Sequence, residues 1–238
     1  MFASLLLAAA LGTIDVLDSA AHSPAHFTQG FFFSGKTLYE TTGLYGRSRL
    51  YRYDAPGVLS ADSANLEAEY FGEGSVRFGN DIFWLTWKEG KAFVYDAKTL
   101  RRKSSFPIRT EGWGITVSQN ALLMSDGSSQ IYFLSPGEKN VFRTVSVQDG
   151  DAPVKYLNEL EAVGETLYAN VWMSDSIAAI DPNSGKVLRW YDFSNIARNV
   201  RKKHPQSEAL NGIAHDGKSF WITGKLWPVM YKVNLKPE

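Results

Sequence analysis

The sequence predicts an all-β protein, a five-bladed β-propeller, on three observations. Aromatic residues make up 13% of the 238 residues, with seven Trp, and such residues favour strands over a helical bundle. Most of the chain alternates apolar and polar residues in short runs bounded by turn residues, the pattern of short strands. Five similar units of three strands follow one another at a period of about 40 to 50 residues, which is typical of propeller blades.

Each unit opens with a polar or glycine-containing turn that leads into its first strand. These openings are FTQGFFF (27–33), FGEGSVR (71–77), EGWGITV (111–117), LNELEAV (157–163) and LNGIAHD (210–216). The second strands are TLYETTG (37–43), DIFWLTW (81–87), ALLMSDG (121–127), TLYANVW (166–172) and SFWITGK (219–225). The third strands are RLYRYDA (49–55), KAFVYDA (91–97), SQIYFLS (129–135), SIAAIDP (176–182) and PVMYKVN (228–234).

One anchor residue can be set in each opening, and successive anchors lie 44, 40, 45 and 53 residues apart. The anchors are Gln29, Glu73, Trp113, Asn158 and Asn211. A single blade cannot bury both of its faces, whereas a ring of blades can, so the repeat predicts a closed ring. The alternative is a β-sandwich with accidental internal similarity, which is disfavoured because all three strands align in every unit.

Two segments lie outside the repeat. TIDVLDS (13–19) alternates apolar residues with Asp and is expected to supply an outer strand to the last blade and close the ring. SNIARNVRKKHPQSEA (194–209) predicts a surface insertion between blades four and five, a short helix capped by Ser194 that stops near Pro205.

The first twelve residues, MFASLLLAAALG, form an apolar run of signal-peptide length with small residues near its end. The run lacks a positive start and is too short to span a bilayer as a helix. We expect a leader over residues 1–12, a secreted or periplasmic protein, and a single catalytic domain over residues 13–238. The alternative is an apolar extension outside the fold.

Composition limits the chemistry. Lys+Arg and Asp+Glu both number 25, so no bulk charge attracts nucleic acid or an anionic membrane, and neither is expected as a partner. The absence of Cys excludes disulfides and thiol catalysis, and the four His show no HExxH pairing, so a zinc hydrolase is disfavoured. We expect no cofactor, no metal ligands and a monomer.

The repeat also predicts a site, because equivalent positions in a propeller meet at one mouth of the central channel. Glu73 is the only charged anchor. A second ring lies fourteen residues downstream at the ends of the second strands, beside the first ring because the strands are antiparallel neighbours. It contains Gly43, Trp87, Gly127, Trp172 and Lys225. An acid, a lysine, carboxamides and indoles around one pocket are typical of a small-ligand site, although each could also be packing or turn structure.

The stretches FTQG, ETTGLYGRS, YFGEG, EGWG, LNELE, NVW and LNGIAHD…TGKLWP resemble the plant-type glutaminyl cyclase family of plants and bacteria over about residues 14–235. That resemblance implies a five-bladed propeller that converts the N-terminal Gln of peptides to pyroglutamate and releases ammonia. It implies that Glu73 is the catalytic acid and base. It places the other pocket residues at Phe27, Gln29, Phe71, Trp87, Trp113, Asn158, Trp172 and Lys225. Family members can carry a structural cation, for which the sequence indicates no site.

We assign Glu73 to carry the proton from the attacking to the leaving nitrogen, and Lys225 and Asn158 to hold the carbonyl oxygen. Aromatic neighbours would raise the pKa of Glu73 and Lys225 would lower it, and the sequence does not decide between them. One rival is a non-catalytic propeller that binds peptide N-termini. Another, a metal-dependent propeller hydrolase or lactonase, is disfavoured because only Glu73 is acidic in the two rings.

Overall fold

A computed structural model describes residues 9–237. The chain opens with two strands that join later blades, β1 (Ala10–Leu11) and β2 (Thr13–Ala21). Blade one consists of β3 (Thr28–Ser34), β4 (Thr37–Thr42), β5 (Arg49–Tyr53) and β6 (Asp62–Asn65). Blade two consists of β7 (Gly72–Phe78), β8 (Asp81–Thr86), β9 (Lys91–Asp96) and β10 (Arg102–Pro107). Blade three consists of β11 (Ile115–Ser118), β12 (Ala121–Ser125), β13 (Gln130–Leu134) and β14 (Val141–Ser146).

A short hairpin of β15 (Gln148–Asp149) and β16 (Ala152–Pro153) leads to the second half of the ring. Blade four consists of β17 (Leu157–Val163), β18 (Thr166–Val171), β19 (Ser176–Ile180) and β20 (Val187–Asp192). The helix α1 (Ser194–Lys203) follows, and blade five contains β21 (Leu210–His215), β22 (Phe220–Gly224) and β23 (Val229–Lys236). The prediction of a five-bladed β-propeller is confirmed.

The blades pack face to face through apolar side chains that alternate along their strands. Between blades two and three, for example, Phe83, Val94, Leu122 and Met124 belong to one buried cluster. The first strand of each blade contacts the first strands of the neighbouring blades, so β3, β7, β11, β17 and β21 line the axis. The openings predicted from the repeat therefore lie side by side at one end of the channel.

The ring is closed by the N-terminal part of the chain. β2 pairs antiparallel with β23 from Thr13↔Lys236 to Ala21↔Val229 and supplies the fourth strand of blade five, as the sequence predicts for residues 13–19. Residues 10 and 11 differ from the expectation that the fold begins at residue 13, because β1 pairs parallel with β20 at the outer edge of blade four. The N-terminal segment thus joins both of the last two blades, since unpaired edge backbone is available on each. Residues 1–8 of the expected leader lie outside the described residues.

The insertion between blades four and five is helical, as predicted, but Ser194 is not its cap. Ser194 is the first helical residue, and its backbone N–H donates to Asp192 Oδ1 at 2.8 Å. The helix buries Ala197 and Val200 against blade five and ends at Lys203, just before Pro205. At ten residues it is too short to cross a bilayer, and no helix among residues 9–237 has the length and apolar character of a membrane span.

Candidate active site

The predicted anchors lie where the inner strands are irregular. The pairing register shifts between Gly72 and Ser75 in blade two, and similar shifts occur around Gln29, Asn158 and Asn211 in blades one, four and five. A bulge inserts an extra residue and turns its side chain away from the regular alternation. The same local device in several blades therefore directs polar side chains toward one mouth of the channel.

Glycine beside Glu73 allows the inner strands of blades two and three to approach. A methyl group at Gly74 would lie 2.6 Å from the carbonyl oxygen of Trp113, and the Gly74 N–H donates to that same oxygen at 2.7 Å. No residue with a Cβ fits at that separation without displacing backbone. The glycine next to the acid is thus explained by packing at the axis, where the backbones of adjacent blades are closest.

Glu73 is 5% exposed and has one hydrogen-bond partner among the described side chains. Gln29 Nε2 donates to Glu73 Oε1 at 3.1 Å. Asn211 Nδ2 in turn donates to Gln29 Oε1 at 3.2 Å and to the Thr28 carbonyl oxygen at 2.9 Å. Asn211 therefore fixes the orientation of the Gln29 amide, so that its nitrogen faces the carboxylate.

Lys225, also 5% exposed, is the counter-charge of Glu73. Its Nζ lies 4.8 Å from the centre of the Phe27 ring, a cation–π distance. Burial lowers the pKa of Lys225, an effect that the charges of Glu73 and Glu208 oppose. Burial raises the pKa of Glu73 well above its usual range, although Lys225 acts in the opposite direction. The question that the sequence left open is settled in favour of burial.

Aromatic rings surround this pair. The Phe27 and Phe71 ring centres are 6.2 Å apart, and those of Phe71 and Trp87 are 5.4 Å apart, both edge to face. On the other side, the Trp113 and Trp172 centres are 5.6 Å apart, and Trp172 remains 38% exposed at the rim. These are the aromatic residues predicted for the pocket.

The second-ring glycines make room for two of these rings. A methyl group at Gly43 would lie 2.3 Å from Phe71 Cε1, and one at Gly127 would lie 2.6 Å from Trp113 Cζ2. Blades one and three thus hold a glycine at the position where the other blades hold Trp87, Trp172 and Lys225. The alternation of small and large residues around the ring sets the width of the pocket.

Glu111 is a site residue that sequence reasoning missed. Its Oε2 accepts hydrogen bonds from Trp87 Nε1 at 2.7 Å and from Trp113 Nε1 at 2.9 Å, so one carboxylate orients two indoles of the wall. The signal was present in the EGWG opening, where the acid precedes the anchor by two residues. Its charge also contributes to the raised pKa of Glu73.

Asn158 is brought to the axis but is not tied to the other site residues. Its backbone carbonyl accepts from Ser125 Oγ at 2.7 Å, while its buried Oδ1 has no partner within residues 9–237. An unpaired buried acceptor costs about 1–3 kcal/mol and is retained where a ligand or water can satisfy it. Asn158 Oδ1 is therefore available to an N–H donor from outside the protein.

Two further buried acids lie on β17 and were not foreseen as channel residues. Glu159 accepts backbone N–H bonds from Phe31 at 3.2 Å and Ile213 at 2.7 Å, which joins blade four to blades one and five. Glu161 accepts from the His215 N–H at 2.9 Å and lines a cavity of ≈ 420 Å³ at the opposite end of the inner strands, together with Thr116. That cavity contains none of the predicted site residues. Both acids are engaged with backbone donors, unlike Glu73.

A group of potential metal ligands in the described structure consists of His22, His26 and Glu40. It contains none of the predicted pocket residues. Glu73, by contrast, has the cationic Lys225 as its nearest charge, which opposes binding of a metal ion there.

Comparison with known proteins gives a consistent result. The family model described as Glutamine cyclotransferase matches residues 5–235. The chain is 37% identical over 238 residues to a protein of Arabidopsis thaliana named glutaminyl-peptide cyclotransferase, covering 98% of this chain and 74% of that protein. The crystal structure of Myxococcus xanthus glutaminyl cyclase superposes with a TM-score of 0.86 at 28% identity, covering 97% of this chain and 99% of the other. Kuenenia stuttgartiensis hydrazine synthase is similar in fold alone, with a TM-score of 0.52 at 17% identity over 86% of this chain and 57% of the other.

Proposed function

Because the chain belongs to the glutamine cyclotransferase family, we propose that Glu73 carries the proton in a cyclisation of N-terminal Gln. The protein is a glutaminyl-peptide cyclotransferase, a transferase whose substrates are peptides. A propeller that only binds peptide N-termini is not favoured. The observation that carries the proposed role is the burial of Glu73 beside Lys225 with a single hydrogen bond from Gln29.

The reaction needs one proton moved between two nitrogens. The α-amine nitrogen attacks the side-chain carboxamide carbon, a C–N bond forms, and the carbonyl π electrons move to oxygen. The Glu73 carboxylate accepts a proton from the attacking nitrogen and then donates it to the leaving nitrogen. The original C–N bond breaks, ammonia departs with the bond pair, and the carbonyl is restored in pyroglutamate. One carboxylate serves both steps because both nitrogens are bonded to the same carbon.

The raised pKa of Glu73 supports this double role. A carboxylate with an ordinary pKa is a weak base near neutrality and is rarely protonated, so it would perform neither half of the transfer well. Burial makes the Glu73 carboxylate more basic and its acid form more populated. The single hydrogen bond from Gln29 leaves carboxylate lone pairs free for the substrate amine.

Lys225 and Asn158 are assigned to the substrate carboxamide. The Lys225 ammonium stabilises the negative charge that develops on the carbonyl oxygen, and its burial in an aromatic pocket strengthens this effect. The unpaired atom of Asn158 is an acceptor, so it suits the carboxamide N–H better than the carbonyl oxygen. We therefore place Asn158 on the leaving nitrogen.

The aromatic walls hold the substrate in the cyclising geometry. Trp87 and Trp113, oriented by Glu111, and the paired rings of Phe27 and Phe71 exclude water around a Gln side chain. Restricting the amine and the carboxamide to near-attack positions lowers the entropic part of the barrier. The rest of the peptide lies outside the mouth, so we expect little selectivity beyond its first residue.

Three finer points are also proposals: chemistry at Glu73 without a metal, action as a monomer, and export from the cytoplasm. Lys225 beside Glu73 supports the first, and the apolar start of the sequence supports the last. We expect turnover to persist in chelator, a single monomeric species in sedimentation, and a shortened N-terminus in native material. Loss of turnover in chelator, a dimer, or an intact Met1 would each contradict the corresponding point.

The central test is turnover of a Gln-initiated peptide, measured as ammonia release and as loss of one ammonia from the peptide mass. The same peptide with an acetylated N-terminus has no nucleophile and should not react. Glu73→Gln should lower kcat by ~10²–10⁴-fold, the usual contribution of general acid–base catalysis. Glu161→Gln is the matched control, because it neutralises a buried channel acid that the mechanism does not use. A Glu73→Gln variant with wild-type turnover would refute the assignment.

A further inference from the structure

A second cluster of ionisable side chains lies where the ring closes, between β2 and blade one. His22 and His26 belong to the linker from β2 to β3, and Glu40 lies on β4. His22 Nε2 is 3.0 Å from Glu40 Oε1, and His26 Nδ1 is 2.9 Å from Glu40 Oε2. The mechanism at Glu73 uses none of these three residues.

The hydrogen bonds of His22 are those of a metal-binding imidazole. Its Nδ1 lies 2.6 Å from the Trp227 carbonyl oxygen, which can only accept, so Nδ1 carries the proton and donates. This leaves Nε2 directed at the Glu40 carboxylate. Histidines that bind metals donate their other ring N–H to a carbonyl or carboxylate in the same way, which fixes the ring and its tautomer.

We propose that His22 Nε2, His26 Nδ1 and the Glu40 carboxylate form a zinc site, with the Tyr53 hydroxyl in the fourth position. The three ligand groups lie within 4.8 Å of one another. The Tyr53 hydroxyl oxygen is 3.0 Å from Glu40 Oε2 and 3.2 Å from His26 Nδ1. Four donors at these separations approach a tetrahedron with edges of about 3.3 Å, which corresponds to bonds of about 2 Å to zinc. Two imidazoles and a carboxylate suit zinc better than calcium or magnesium, which prefer oxygen ligands alone.

The burial of the cluster indicates a structural site with a route for the ion. The side chains of His22 and Glu40 are 2% and 0% exposed, while that of His26 is 12% exposed. His26 also lines a surface cavity of ≈ 200 Å³, through which an ion could reach it. Because the Tyr53 hydroxyl occupies the fourth position, no position is left open for a substrate.

The site would fasten two segments that carry pocket residues. The His22 N–H donates to the Pro228 carbonyl oxygen at 3.0 Å, and the Leu226 N–H donates to the His26 carbonyl oxygen at 2.7 Å. These bonds tie the linker, which leads into Phe27 and Gln29, to the loop that begins at Lys225. A bound ion would hold the closing strand, blade one and this loop together.

The test measures zinc in the full-length protein after chelator treatment, reloading with one equivalent of Zn²⁺ and removal of free ion. Wild type should retain about one zinc per chain, and its Tm should rise by about 5–10 °C when free zinc exceeds the dissociation constant a hundredfold. Cobalt should give the visible absorption of a tetrahedral ion. His26→Ala should lose both the zinc and the cobalt spectrum, because it removes one ligand from the part-exposed edge of the cluster.

His204→Ala is the matched control, since His204 is a histidine outside the cluster that follows α1. It should retain zinc and the cobalt spectrum in full. Wild type without zinc, or equal zinc in wild type and His26→Ala, would overturn the proposal. The cluster would then be a buried ion pair in which protonated His22 neutralises Glu40.

Discussion

Glu73 and Glu40 are glutamates buried in neighbouring blades, and the fold treats their charges in opposite ways. Glu40 accepts from His22, His26, Thr28 Oγ1 at 2.8 Å and the Tyr53 hydroxyl. Burial alone would raise its pKa, but the charges and hydrogen bonds of the two histidines hold the pKa well below its usual range. Glu73 accepts from Gln29 alone among the described side chains, and burial leaves its pKa well above that range.

The difference separates an acid kept for structure from an acid kept for proton transfer. A fully hydrogen-bonded carboxylate stays ionised and stabilises the fold, but it has no lone pair to offer a substrate. A buried carboxylate with one donor costs stability when ionised, and in return it can take and return a proton. If this contrast is right, substitutions at the two positions should act on different properties.

The largest expected contrast is in stability. Glu40→Gln leaves the His22 charge buried without a partner and should lower the free energy of unfolding by ~3–5 kcal/mol. Glu73→Gln removes a buried charge that burial disfavours and should leave stability unchanged or raise it at neutral pH. Denaturant unfolding at neutral pH in chelator measures both. Similar losses for the two variants would show that the carboxylates are equivalent structural groups.

The next contrast concerns the counter-charge of Glu73. Lys225→Met should lower kcat by ~10²–10³-fold, the effect of removing one donor to a developing oxyanion. It should also move the acid limb of kcat/KM to higher pH. Lys225 lowers the pKa of Glu73, and the ionised carboxylate is the base, so without Lys225 a higher pH is needed to ionise it.

The pH–rate profiles of wild type and Lys225→Met, taken on one peptide, test this prediction. Lys232→Met is a matched control, since Lys232 pairs with Asp216 on the same blade and is remote from the mechanism. An acid limb that stays in place, or moves to lower pH, would contradict the assigned coupling between Lys225 and Glu73.

A smaller effect is expected at the opposite end of the channel, where Glu161 is buried but bonded to backbone. Burial raises its pKa to about 8 from a model value of 4.5, although the His215 N–H opposes this. A raised folded-state pKa means that its stabilising contribution is complete below pH 4.5 and is lost as the pH rises through about 8. Glu161→Gln should remove that loss.

Thermal unfolding of wild type and Glu161→Gln across this pH range is the measurement. A contribution of ~1 kcal/mol corresponds to about 2–4 °C in Tm for a chain of this size. The gap between the two proteins should widen in favour of the variant toward high pH, with kcat unchanged. Parallel curves would show that Glu161 does not titrate in the folded protein.

The repeat in the sequence was sufficient to predict the ring, its closure by β2 and the meeting of Glu73 with Gln29. It was sufficient because equivalent positions in a closed ring must converge, whatever the details of each blade. It was insufficient for Glu159, since strict alternation would not bury both Asn158 and Glu159, and the bulge between Leu157 and Leu160 is what allows it.

Contacts between different parts of the ring were also outside the reach of the sequence. The sequence gives no reason to pair the linker histidine His22 with Glu40, or to place the Trp227 carbonyl beside it, because those contacts depend on how the last blade meets the first. The same holds for Glu111, whose role follows from the orientation of two indoles from blades two and three. Direction and orientation, rather than position along the chain, separate these groups.

The smallest effect is expected at the rim of the mouth. Trp172 packs edge to face on Trp113 but is 38% exposed, so it should contribute to substrate binding more than to the chemical step. Trp172→Ala should raise KM by about 2–10-fold, in keeping with the ~0.5–1.5 kcal/mol of an aromatic contact, and should change kcat little. Trp190→Ala is the control, because Trp190 lies on β20, bonded to Asp149 away from the pocket, and should leave both constants unchanged. Steady-state kinetics on a short Gln peptide decide the point. A fall in kcat with constant KM would instead place Trp172 among the groups that act on the transition state.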